Sequence, residues 1–154
     1  TRVPILDEDD FGSMYEKLKY EGAALALRTV QAIEQGEVNP QPQVTTSETK
    51  HAPKIFKETC KIDFSHSSES IHNLIRGLSP YPAAWMEFQG KTCKVFKSKV
   101  NSEPLLNKEI GQWESDGKSF LRFQCGEGSL EIIELQLEGK KRMKIDELLR
   151  GLKL

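Results

Sequence analysis

The sequence predicts an α+β protein: an N-terminal helical segment and linker, followed by a small antiparallel β-barrel with flanking short helices. Three observations carry this expectation. Apolar residues recur at helical spacing between Phe11 and Ile33, a Pro-, Gln-, Thr- and Ser-rich stretch follows, and the remainder holds five short strand-like runs. Runs of that length, broken by glycine-containing turns at near-regular intervals, mark a small closed or partly open barrel.

The first helix is expected from Asp10 to about Gln35. Phe11, Met14, Tyr15, Leu18, Leu25, Ala26 and Ile33 form one stripe, which Ala23, Leu27 and Val30 widen. Asp9 or Asp10 supplies an N-cap, and Gly36 stands where a C-cap belongs. Gly22 marks a bend or a close approach by a neighbour. So wide a stripe should lie against something large. Residues 37–64 read as linker. NPQPQVTTSETKHAP holds few apolar anchors, and its prolines favour extended backbone. Lys50, Lys54, Lys57 and Lys61 recur every three or four residues, and Pro53 blocks a continuous helix through them.

Residues 65–154 form the third zone. Ser65 is the expected N-cap of a helix whose Ile71, Leu74, Ile75 and Leu78 fall at i, i+3, i+4, i+7, with Gly77 and Pro80 ending it. Arg76 projects from the opposite side, beside Pro80-Tyr81-Pro82. The expected strands are Ala84–Gln89, Thr92–Val100, Glu109–Ser115, Ser119–Cys125 and Leu130–Leu137. Gln89-Gly90-Lys91, Asp116-Gly117-Lys118 and Gly126-Glu127-Gly128 are the turns. Ile133, Leu135 and Leu137 alternate with Glu134 and Gln136, a half-buried strand pattern. A short helix, about Ile145 to Arg150, closes the chain.

The 154 residues carry a net charge of −1, and none of the apolar runs approaches a bilayer-spanning length. The charge is uneven. Residues 1–50 hold five basic and nine acidic side chains, a net of −4, and residues 51–154 hold seventeen basic and fourteen acidic, a net of +3. Cys60, Cys93 and Cys125 form no CxxC pair and read as reduced thiols. His51, His66 and His72 share no metal-ligand spacing, and Asp63-Phe64-Ser65-His66 is adjacency without triad geometry. No catalytic or metal-binding residue is expected. The remaining chemistry is electrostatic: the linker lysines, and Lys140-Lys141-Arg142 with Lys144. Such clusters are more often solvated turns, although small barrels of this type also bind oligonucleotides through one face.

Five blocks, in order, are similar to methionyl-tRNA formyltransferases. PILDEDDFGSMYEKLKYEG resembles that family's Pro-Ile…Gly-Ser-Leu-Tyr-x-Lys-Leu…Gly, with Gln43 as the Gln that follows a Pro-containing linker. HAPKI resembles Tyr-Ala-Pro-Lys-Ile, with His51 for Tyr. KIDF resembles Lys-Ile-Asp-Trp, with Phe64 for Trp. IRGLSPYPAAW resembles Ile-Arg-x-Leu-x-Pro-x-Pro-x-Ala-Trp. ELQLEGKKRMKIDELLRG resembles Leu-Gln-x-x-Gly-Lys-Lys-x-Met…Leu-x-Gly, with Lys144 where a helix-capping Ser or Thr is common.

The resemblance covers about Ile5 to Gly151. It implies that 1–36 is the C-terminal helical remnant of a catalytic domain, 37–64 a basic linker and 65–154 an OB-like C-terminal domain. The implied parent is a cytoplasmic enzyme of translation initiation, moving a formyl group from 10-formyltetrahydrofolate to the amino group of methionyl-initiator tRNA. Its catalytic Asn, His and Asp and its folate pocket would lie upstream of Thr1, so neither cofactor nor activity is expected of this fragment alone. The implied partners are initiator methionyl-tRNA and the N-terminal catalytic domain, with no membrane, and the exposed 10–35 helix could self-associate. Lys54, Lys57, Lys61 and Arg76 become the first candidate RNA contacts and Lys140, Lys141 and Arg142 the second. A structural role at the domain join competes for Arg76. Two alternatives are the same domain in a UDP-sugar formyltransferase or formyltetrahydrofolate dehydrogenase, and a stand-alone RNA-binding module. The Ala-Pro-Lys-Ile and Gly-Lys-Lys-Arg-Met blocks favour the tRNA enzyme, and the apolar first helix argues against the stand-alone module.

Overall fold

A helix, α1, forms over Phe11–Gln35, where the apolar period places it. In the computed structural model, which describes residues 1–151, Asp10 caps it. The Asp10 carboxylate accepts from Ser13 N (2.8 Å) and Ser13 Oγ accepts from Asp10 N (3.1 Å), so two otherwise orphaned donors are satisfied reciprocally. Gly36 ends it at φ 73°, the left-handed conformation that disfavours a Cβ. Gly22 has no neighbour within 4 Å, so the anticipated close approach does not occur. The stripe is not covered either: Phe11, Tyr15, Leu18, Leu25 and Ile33 remain 39–58 % exposed, because no other described part of the chain packs along it.

The second helix, α2, spans Ser68–Leu78. Its cap is Ser67, not Ser65. Ser67 Oγ accepts from Ser70 N at 3.2 Å, whereas Ser65 N donates to the Asp63 carboxylate at 2.9 Å in the preceding turn. The helix also runs through Gly77, which has open space around it. It stops before Pro80, whose missing N–H cannot continue the ladder. Ile71, Ile75 and Leu78 are buried.

The strands are β1 (Ala84–Phe88), β2 (Lys91–Asn101), β3 (Trp113–Ser115), β4 (Leu121–Gln124), β5 (Ser129–Leu137) and β6 (Met143–Lys144), before α3 (Ile145–Arg150). Strand β3 is shorter than expected because Glu109–Gln112 is a turn, with Gln112 N donating to Glu109 O at 3.0 Å. The two-residue β6, not anticipated, pairs with β5. All ladders are antiparallel, in the order β1-β2-β5-β4-β3. The α+β expectation therefore holds. Full barrel closure does not follow. Among the described residues no ladder joins β1 to β3, and these ends meet through Phe88 and Trp113, whose rings contact edge-on at 5.6 Å.

Met86, Phe88, Val95, Phe123, Leu130, Ile132 and Leu135 fill the core with Ile71, Ile75 and Leu148. The β2–β5 register shifts twice, between Val95 and Lys97 and between Lys97 and Ser98. Val95, in phase with Cys93, enters the core just before the first shift, while Phe96, inside that shift, is also buried but lies outside the core cluster. The Gly126–Gly128 turn clamps the start of α2. Gly126 N donates to Phe64 O and His66 O (2.9 Å each), and Ser68 N donates to Glu127 O (2.9 Å). Of the described helices, none is long and apolar enough to cross a membrane.

Candidate nucleic-acid interface

The basic linker is fastened to the sheet by alternating buried and exposed residues. Cys60 and Ile62 are buried, which leaves Lys57 and Lys61 facing out around a 3-10 turn over Glu58–Cys60. Trp85 of β1 holds both ends of that turn. Its indole Nε1 donates to Lys57 O at 2.8 Å, its carbonyl accepts from Ile62 N at 2.8 Å, and Lys61 forms a parallel bridge with it. The Lys57 and Lys61 ammonium groups sit 5.4 and 5.2 Å from the Trp85 ring centroid, attracted to its negative face. Upstream, Phe56 is exposed, and its backbone is pinned by Thr59, whose Oγ1 donates to Phe56 O at 2.7 Å. Lys54 Nζ lies 6.0 Å from the Phe56 ring.

The ladder register then does what sequence alone does not show. Trp85 pairs with Lys94 of β2, Lys94 pairs with Gln136 of β5, and Gln136 Nε2 donates to Lys140 O at 3.0 Å. Directly paired side chains on one face stand about 5 Å apart. One outward row across three strands therefore joins the linker lysines to the Lys140–Lys141 turn, with Lys94 in the middle. Lys57, Lys61, Lys94, Lys140 and Lys141 are all exposed. A shallow groove of about 340 Å³, lined by Thr92, Lys94, Gln136 and Glu138, runs beside the row. The face is not purely cationic: Glu87 lies 3.7 Å from Lys61, an exposed pair worth at most about 1 kcal/mol. Sequence reading missed Lys94, although its alternation with buried Cys93 and Val95 gave the signal.

The two arginines among the expected contacts have other partners. Arg76 Nη1 donates to the carbonyls of Leu6 (3.1 Å), Asp9 (3.2 Å) and Asp7 (3.5 Å), and its Nε donates to Asn73 Oδ1 (2.8 Å). Arg142 binds Glu134 through both Nε and Nη2 at 2.8 Å, and its guanidinium lies 4.2 Å from the Phe96 ring centroid. That fork holds the Glu134 carboxyl below its ordinary range. Burial pushes the Cys93 thiol up to about 12 and the Cys125 thiol up to about 11, so neither is a nucleophile at neutral pH.

A small antiparallel sheet that carries a basic linker along one edge defines the class of protein. Residues 54–153 match the family described as formyl transferase, C-terminal domain, and the chain belongs to that family. Its relatives include the methionyl-tRNA formyltransferases of Bacteroides fragilis (42% identical, covering 99% of this chain and 49% of that protein) and Bacteroides thetaiotaomicron (41%, 99% and 50%). That of Flavobacterium johnsoniae is 36% identical (99% and 49%). The chain thus spans about half the length of these relatives. Among solved structures, a variant of HypX from Aquifex aeolicus superposes with a TM-score of 0.66 at 17% identity, over 96% of this chain and 27% of that one. HypX in complex with tetrahydrofolic acid gives 0.58 at 17% identity, over 80% and 22%. At such identities the likeness shows the fold alone.

Proposed function

We propose that this chain is the C-terminal, tRNA-binding portion of a methionyl-tRNA formyltransferase. The carrying observation is the row Lys61–Trp85–Lys94–Gln136–Lys140, which merges two basic segments far apart in sequence into one outward face. Lys54, Lys57, Lys61, Lys94, Lys140 and Lys141 contact phosphates. Arg76 and Arg142 are engaged instead by Leu6–Asp9 and by Glu134. The whole protein formylates methionyl-initiator tRNA in the cytoplasm with 10-formyltetrahydrofolate as donor. No residue of this chain is assigned to that chemistry, so the 154-residue chain alone gives no turnover with 10-formyltetrahydrofolate and charged tRNA.

The test is a salt series with initiator and elongator tRNAs. Each phosphate neutralised contributes about −0.9 to the slope of log K against log salt, and removing one contacting lysine lowers its magnitude by about one. Lys57→Ala, Lys94→Ala and Lys141→Ala should each do so, on both tRNAs alike. Salt-independent binding, or slopes untouched by all three changes, would show that the row is only solvated surface.

A further inference from the structure

The segment before α1 is fastened to α2 beside the sheet, with Asp9 buried. Arg76, on α2, gathers the carbonyls of Leu6, Asp7 and Asp9 onto one Nη1, and Asn73 fixes the guanidinium plane from behind. Asp9, only 5 % exposed, accepts from Leu6 N (2.9 Å), Ser13 Oγ (2.7 Å) and Lys17 Nζ (2.6 Å), so it ties the segment to the first two turns of the helix. Gly12 N donates to Ser79 O at 3.0 Å, and a Cβ on Gly12 would stand 2.7 Å from Pro80 Cδ. Opposite, residues 7–10 face a cleft of about 260 Å³ floored by Phe96 and Ile133, where the β2–β5 register shifts. Arg142, stacked on Phe96, adds a charge attracted to Asp10.

We propose that Leu6–Gly12, α2 and the Pro80 corner form a joint that sets the direction of α1 relative to the sheet, with Arg76 as its positioning residue rather than an RNA contact. A connecting turn with no other role does not collect a guanidinium, a buried carboxylate and a glycine pressed against Pro80. A charge-assisted bond to a carbonyl is stronger than a neutral one, and here several share one donor group. The leverage is large. At about 1.5 Å per residue the 25 residues of α1 span roughly 37 Å, so a rotation of about 10° at the first turn carries the far end about 6 Å. Whatever packs on α1 would therefore be presented to the basic row at a fixed angle.

The experiment measures the distance between spin labels at Gln35→Cys and Lys118→Cys, both exposed, in a chain whose native cysteines are buried. The parent chain should give one narrow distribution. Arg76→Ala and Gly12→Ala, which break the joint from opposite sides, should each at least double its width while the near-ultraviolet dichroism of the sheet's aromatic core stays unchanged. Arg76→Ala should also leave the tRNA salt slope as it was. A distribution that stays narrow in both variants overturns the joint. A slope that falls by about one in Arg76→Ala returns Arg76 to the RNA face. The distance readout involves no RNA, so it stands or falls apart from the RNA-binding proposal.

Discussion

Single residues here are divided between holding and reaching. Asp9 is the clearest holder. The Lys17 ammonium, then the Leu6 amide and the Ser13 hydroxyl, bring its carboxyl down from 3.8 to about 2. A carboxyl depressed in the folded state adds stability that is full above its ordinary value and is lost as pH falls through the folded value. The contacts of Asp9 should thus be intact above about pH 4 and dissolve toward pH 2. The protection factor of the Leu6 amide, which donates to Asp9 at 2.9 Å, should fall in step between pH 5 and 2. Asp9→Asn should lower that protection factor at pH 5 and remove its dependence on pH. Identical profiles in the two proteins would mean that Asp9 does not hold the segment. At this scale the lysines of the linker were legible as a charge run, but the partners of Arg76 were not. Those partners are backbone carbonyls about seventy positions away, and a carbonyl carries no side-chain signature in sequence.

Elements were legible where period and capping agreed. Helix α1 ends on the residues its Asp and Gly caps select, and α3 begins where expected. Misses fell where tertiary contacts overrode local pattern. The Gly126-Glu127-Gly128 turn recruits the backbone before Ser68 and so shifts the α2 cap to Ser67, and β6 exists only because β5 offers it a free edge. Two glycines make this contrast measurable. A Cβ on Gly126 would lie 2.0 Å from Ser65 O, a backbone atom that cannot swing aside. Gly126→Ala should destabilise the sheet by about 1–3 kcal/mol, visible as a lowered unfolding midpoint. Gly22 has nothing within 4 Å, so Gly22→Ala should stabilise α1 by about 0.5–1 kcal/mol and raise exchange protection in its middle without moving that midpoint. The reverse outcome, a tolerated Gly126→Ala beside a damaging Gly22→Ala, would reverse the assignment of tight and open glycines.

At the scale of the molecule, one side is saturated and one is not. The sheet buries its core and joins two basic segments on its outer face, while α1 leaves its joint with an apolar stripe that nothing in the described chain covers. Phe11, Tyr15, Leu18, Leu25 and Ile33 fall within about one third of the helix circumference at 100° per residue, so they form a continuous strip roughly 30 Å long. Exposed apolar strips of this kind mark contact surfaces. In isolation it has one self-complementary solution available at no cost in sequence: a second copy, packed antiparallel across a two-fold axis. The 154-residue chain should therefore show a mass in light scattering that rises from monomer toward dimer with concentration, while a chain lacking residues 1–36 should stay monomeric at every concentration. Leu18→Glu should abolish the rise with the sheet still folded, because it sets two carboxylates against the apolar strip. Arg76→Ala should leave the dimer in place, since it frees the direction of α1 without changing the strip. Mass that stays monomeric throughout, with α1 protected from exchange, would mean that the helix folds back on its own sheet. A dimer that survives removal of residues 1–36 would place the contact on the sheet.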